Sequence, residues 1–188
     1  MVNQPHVIII AGPNGADKST TAPILLKDLL GVTEFVNADV IAQGLSAFAT
    51  EAVAFQAGRI MLKRLHELAN KRRNFAFETT LSTRSYAAFL QRLQTQGNRV
   101  YLIFLWLPSP EMAIARVAER VLGGGHYVPN DGIQRRYHRG LSNLFKLYLP
   151  LANQWRIYDN ADSDGAKLIA RGNFDQINDL VNPQLGSI

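Results

Sequence analysis

Apolar and polar positions along this chain follow two periods, and the period switches from segment to segment. His6 to Ile10 (HVIII) is a short unbroken apolar run of the kind found in a strand covered on both faces. From Lys18 to about Leu30 the apolar residues Ile24, Leu25 and Leu29 fall at helical spacing, and Gly31 follows as a stop. Phe35 to Asn37 reads as a short second strand ending at Asp39. Glu51 to Asn70 predicts a long helix with Val53, Ile60, Leu65 and Leu68 toward the core. Asn74 to Phe77 forms a third strand running into Glu78, Thr79 and Thr80. Ser85 to Gln96 is helical and stops at Gly97. The string RVYLIFLWL, apolar and rich in β-branched and aromatic residues, predicts a buried central strand. Ser109 then Pro110 marks a helix start, cap followed by proline at the first helical position, for a helix through Val121. Gly123 to Gly125 break it. A further helix runs from Asn130 toward Leu147, WRIYD supplies a last strand, and Phe174 to Val181 a terminal helix. Such alternation predicts an α/β fold, a central parallel sheet between two helical layers.

Composition narrows this picture. At 188 residues and 47% hydrophobic, the chain fits a single domain spanning 1–188. With no cysteine there is no disulfide framework, thiol nucleophile or cysteine zinc site, and a reducing cytoplasm is the compatible setting. The first apolar run is too short for a signal core and none approaches a membrane span, so a soluble protein is expected. The formal charge of +5 suits an anionic ligand. Much of the excess lies in KRRN, where Lys71, Arg72 and Arg73 close a helix and complement its dipole, and in QRRYHRG from Gln134 to Gly140. A nucleic-acid-binding role for the second run lacks a recognition-helix or aromatic stacking motif.

The most specific chemistry follows the first strand. AGPNGADKST, Ala11 to Thr20, sits between strand and helix and meets the pattern G-x-x-x-x-G-K-[ST] at Gly12, Lys18 and Ser19. In such a loop the backbone of Gly12, Pro13, Asn14, Gly15 and Ala16 wraps an anion, and Lys18 reaches the β and γ phosphates. The Ser19 hydroxyl holds magnesium, with Thr20 a weaker helper. A nucleoside triphosphate is the expected ligand. Asp17 stands where the pattern has its second glycine. Its charge beside a β phosphate is worth about 4 kcal/mol of repulsion at 4 Å and an effective dielectric near 20. A positive φ there costs a further ~1–2 kcal/mol. The site is then a degenerate or inactivated one, or Asp17 turns outward or assists the metal.

Ligands of open parallel sheets collect outside the carboxyl ends of the strands, which brings forward Asp39 and Glu78. Asp39 suits the base that takes a proton from an attacking hydroxyl, or a cap for the turn VIAQ. Glu78 suits an acceptor-orienting group or a support for magnesium through water, or is simply a strand-end carboxylate. The stretch of about 116–147 combines a glycine break with Arg116, Arg120, Arg135, Arg136 and Arg139 on its flanking helices, as a mobile lid would. The plain alternative is a solvated basic face. His126, in the break, is a phosphate contact or loop filler.

Taken in order, AGPNGADKST, VNAD, FETTLST, GGGHYVPNDGIQRRYHRGLSNL and IYDNAD resemble the zeta toxin family of P-loop kinases, in particular its short predicted-ATPase branch. The resemblance implies a three-layer P-loop kinase-like fold with a helical lid, ATP with Mg2+, and phosphorylation of a small-molecule hydroxyl. The best-known family substrate is UDP-N-acetylglucosamine. It implies Asp39 as acceptor-side base, Glu78 with Thr79 in the acceptor pocket, Arg120 with Arg135 or Arg136 as phosphate clamps, and Asn160 beside adenine. A neutralising antitoxin protein is implied as partner. The alternative is a nucleotide-binding pseudo-enzyme impaired by Asp17.

Overall fold

The computed structural model describes residues 4–23, 26, 32–47, 50–125, 127–162, 164–174 and 176–180. Strands β1 (His6–Ala11), β2 (Phe35–Val36), β3 (Phe75–Thr79), β4 (Arg99–Trp106) and β5 (Gln154–Asp159) run parallel, and β6 (Lys167–Asn173) and β7 (Gln176–Leu180) add an antiparallel edge. Their order is β2-β3-β1-β4-β5-β6-β7, so β4, the most apolar segment, lies at the centre. Helices α1 (Lys18–Pro23), α2 (Ala38–Leu45), α3 (Thr50–Asn70), α4 (Ser85–Thr95), α5 (Pro110–Leu122) and α6 (Asn130–Asn143) connect them, and α6 passes into a π-helical turn at Leu144–Tyr148.

Because successive strand residues point to opposite faces, the apolar runs of β1 and β4 build two cores at once. Val7, Ile9, Val100, Leu102 and Phe104 pack with Met61, Leu65 and Leu68 of α3 and Phe89 and Leu90 of α4. Ile8, Ile10, Ile103 and Leu105 pack with Ala22, with Ala113 and Val117 of α5, and with Ile133 and Tyr137 of α6. The three layers follow from this division. Helix α5 begins as its sequence predicts, Ser109 Oγ accepting from Met112 N at 3.2 Å. Helix α3 ends where Arg72 turns to φ +52° and Arg73 N reaches Leu68 O at 3.1 Å.

Two expectations need correction. The segment read as a terminal helix is strand β7, and WRIYD is followed by β6, because pairing across the sheet edge overrides the weak local spacing of Phe174, Ile177 and Leu180. The buried stripe of α3 is Ala57, Met61, Leu65 and Leu68, whereas Ile60 is 38% exposed. Helix α1 is described over Lys18–Pro23, and the continuation expected to about Leu30 falls, Leu26 apart, outside the described residues. The expected contacts of Ile24, Leu25 and Leu29, the stop at Gly31, and His126 lie outside the described residues. No helix among the described residues is long and apolar enough to cross a membrane.

Candidate functional site

The loop between β1 and α1 is shaped by two glycines that no other residue replaces without strain. Gly12 has φ +151°, and a Cβ there would sit 2.4 Å from Leu105 O; Gly15 has φ +78°, and a Cβ would meet Ala113 O at 2.8 Å. The first lets the loop hug the end of β4, and the second lets α5 lie against it. Within the turn Ala16 N reaches Pro13 O at 3.3 Å, and Gly12 N reaches Thr79 O at 3.3 Å. Lys18 is 6% exposed, its Nζ donating to Pro13 O at 2.8 Å and standing 3.7 Å from Glu78 Oε1. Burial pulls its pKa below the usual lysine value, and the charges of Glu78, Asp39 and Asp17 oppose this while Arg120 adds to it. These four side chains therefore converge electrostatically on one ammonium. Among the described residues Asn14 Oδ1 is buried with no hydrogen-bond partner, an orphan of the kind a ligand satisfies.

Asp17 has φ +49°, the left-handed backbone that a glycine supplies without strain. Its carboxylate is 57% exposed and lies 3.5 Å from Arg116 Nη1 of α5. Arg116 also donates to Asn160 O at 2.7 Å and to Ala161 O at 2.6 Å, in the loop after β5. That loop returns the contact, Asn160 Nδ2 donating to Ala16 O at 3.2 Å. Asn160 is thus joined to the loop between β1 and α1.

A second cluster forms because β3 lies next to β1. Ser19 Oγ donates to Glu78 Oε2 at 2.7 Å. Asn37 Nδ2 donates to the same oxygen at 2.7 Å and to Ser19 Oγ at 3.3 Å. Asn37 Oδ1 accepts from Asp39 N at 2.7 Å and Val40 N at 3.3 Å, capping α2. The capping expected of Asp39 is therefore done by Asn37, and Asp39 is left exposed in the first turn with its charge within reach of Lys18. Asn37 and Arg116 carry contacts that the local sequence did not announce. A hydroxyl and a carboxylate sharing one spot are hard oxygen donors of the sort magnesium accepts. With the glycine-shaped cradle and the orphaned Asn14 oxygen, the residues fit a magnesium nucleotide.

The remaining candidates divide. Thr79 Oγ1 accepts from Leu81 N at 3.1 Å and so shapes the turn after β3, and Thr20 is exposed. Arg120 sits near the end of α5, where Gly125 N donates to its carbonyl oxygen at 2.9 Å. Arg135 pairs with Asp131 of its own helix at 3.6 Å. With Arg136 it lines a cleft of about 260 Å³ against Ala54 of α3. Among the described residues neither contacts the Lys18 cluster. Helix α6 is held close to the strand ends by Gly140, where a Cβ would stand 2.4 Å from Thr80 O.

The zeta toxin family profile matches residues 2–169. An uncharacterized protein of Haemophilus influenzae is 27% identical over 136 residues, 72% of this chain and 95% of that one. The AvrRxo1-ORF1:-ORF2 complex solved with ATP superposes with a TM-score of 0.76 at 18% identity, covering 98% of this chain and 63% of the other. This chain thus spans less than two thirds of that neighbour. A chain of the PezAT toxin-antitoxin system of Streptococcus pneumoniae gives a TM-score of 0.66 at 20% identity, covering 90% and 72%. A putative kinase from Chloroflexus aurantiacus gives 0.56 at 14%, covering 74% and 79%. These likenesses show the fold, that of a P-loop kinase with helices on both faces of its sheet.

Proposed function

The chain belongs to the zeta toxin family, and from that premise we propose that it is an ATP-dependent kinase acting on a hydroxyl of an anionic small molecule. The observation that carries the proposal is the meeting of Lys18 and Ser19 with Glu78 at the carboxyl ends of β1 and β3, with the Asp39 charge, just after β2, acting on Lys18. The loop amides and Lys18 hold the polyphosphate, and Ser19 with Glu78 holds magnesium. Bound there, the metal supplies neutralising charge for the transferring phosphoryl group. Asp39 accepts the proton as the acceptor oxygen bonds to the γ phosphorus and the bond to the β-phosphate oxygen breaks, its electron pair leaving with ADP. Arg120, and Arg135 or Arg136 of a lid spanning about 116–147, offset charge on the phosphoryl oxygens. The basic lid suits an acceptor that is itself anionic, and a UDP-amino sugar is the first to try. We place the protein in the cytoplasm as a single domain, with a neutralising protein partner, since the PezAT neighbour is a toxin-antitoxin system.

The test is phosphoryl transfer from γ-labelled ATP across a metabolite library that includes UDP-N-acetylglucosamine, on the native chain and on Asp17→Gly. Asp39→Asn should keep MgATP binding and lose about 10²–10⁴-fold in transfer. Loss of binding in Asp39→Asn would move this residue to a structural or metal role. Asp17 favours a second reading, a nucleotide-binding module without turnover: MgATP bound by both forms, and no labelled product from either, would select it.

A further inference from the structure

Resting on the ATP-binding reading above, we infer that Arg116 is a positioning residue for nucleotide binding, drawing the Asp17 carboxylate away from the polyphosphate. Asp17 places a negative charge at the turn position where the phosphate-loop pattern has its second glycine. The backbone there is already left-handed at φ +49°, so the carboxylate's direction is set by what stands beside the loop. Arg116 stands there, 3.5 Å away.

Three features make Arg116 a fixed partner. Its guanidinium donates to Asn160 O and Ala161 O at 2.7 and 2.6 Å, which immobilises the end of the side chain. Its helix is seated against the loop at Gly15, where an added Cβ would lie 3.1 Å from Arg116 Cβ and 2.8 Å from Ala113 O. Arg116 is 21% exposed against 57% for Asp17, so the cation is the anchored member and the carboxylate the one that turns to it. Arg116 thus does two separable things. It clips the loop after β5, a role indifferent to residue 17, and it offsets a charge that exists only because residue 17 is aspartate.

A double-mutant cycle read by calorimetry separates them, with magnesium and the non-hydrolysable analogue adenylyl imidodiphosphate as probe. The forms are native, Asp17→Gly, Arg116→Ala and the double variant, with unliganded melting temperatures as the folding control. Arg116→Ala should weaken binding about tenfold in the native chain and about threefold or less beside glycine, a coupling within the range for residues in contact. Arg116→Lys should recover most of the coupled part, because charge and not the two-carbonyl clip carries it, and added salt should shrink that part. Should Arg116→Ala fail to fold, Arg116→Gln and Arg116→Lys complete the same cycle. Equal losses in both backgrounds, or no advantage of lysine over the neutral substitutions, would overturn the proposal while leaving ATP binding intact. Absence of binding by every form, Asp17→Gly included, would overturn the ATP reading and this inference together.

Discussion

Glu78→Gln tests the centre of the site, because among the described residues Glu78 is the only carboxylate in direct contact with both Lys18 and Ser19. Its Oε1 stands 3.7 Å from Lys18 Nζ, and its Oε2 accepts from Ser19 and Asn37, both at 2.7 Å. Glutamine keeps an acceptor oxygen for the two donors and removes the charge. At that separation and an effective dielectric near 20 the lost attraction is about 4 kcal/mol, an upper figure because the mouth of the site admits water. Removing one partner of a buried pair costs about 3–5 kcal/mol, and the same opening makes the lower end the expectation here. The empty protein should therefore melt earlier. On the kinase reading proposed above, nucleotide changes the sign of the problem. Metal-free ATP brings its own negative charge to Lys18 and no longer meets Glu78, a relief of ~3 kcal/mol for charges ~5 Å apart at the same dielectric. MgATP loses the carboxylate that supports its metal. Calorimetry with magnesium and with EDTA should show the preference for MgATP over free ATP shrinking by about ten- to a hundredfold, since each 1.4 kcal/mol is tenfold. An unchanged preference together with an unchanged melting temperature would refute both roles assigned to Glu78.

Gly140→Ala should destabilise by about 1–3 kcal/mol, because its Cβ would press on Thr80 O, a backbone atom that cannot swing aside. A melting temperature within error of native would contradict this, as each kcal/mol lowers it by about 2–4 °C at this size. Acidification should also destabilise the fold through His6 and His66. Burial holds both pKa values below the ordinary 6.5, and Arg92 adds to the effect at His66. A depressed folded pKa gives stability that is complete above about 6.5 and lost as pH falls through the folded value. Because Arg92 can only donate, His66 Nδ1 is the acceptor of their 2.7 Å contact, and protonation removes it. Denaturant titrations from pH 7 to 5 should show the decline, and His66→Gln should flatten part of it; a slope identical to native would refute the assignment.

The parts of this molecule that were legible from sequence are those decided within one segment. β1 and β4 are apolar without interruption, so burial on both faces could be read directly. Ser109 and Pro110 start α5 by chemistry confined to a single turn. The edge strands were not legible, because KLIARGN and QINDL become strands through pairing with β5 and with each other. The site divides in the same way. Gly12, Lys18 and Ser19 declare themselves by spacing. The Ser19–Glu78 bond depends on β3 lying beside β1, which is topology. The Asp17–Arg116 contact joins residues 99 positions apart, and Asn37, which the sequence marks only as the end of the second strand, becomes a bridge once that topology exists.

Within the reading proposed above, Asp17 bears on whether the chain turns over or only binds, and its two costs come out unequal once its surroundings are known. The backbone term stands: a φ of +49° costs about 1–2 kcal/mol for a residue with a side chain, at the lower end for aspartate. The charge term shrinks. A carboxylate 57% exposed and facing Arg116 belongs with surface ion pairs, whose net effects are about 0–1 kcal/mol, and not with charges held in a closed site. The backbone strain, moreover, is present before ATP arrives, so it lowers the stability of the loop more than its affinity. What reaches the nucleotide is then about 1 kcal/mol, a loss of roughly fivefold in binding at 1.4 kcal/mol per tenfold. A penalty of that size weakens a kinase without silencing it. The choice between kinase and binding module thus moves from the phosphate loop to the acceptor side, to whether Asp39 meets a hydroxyl.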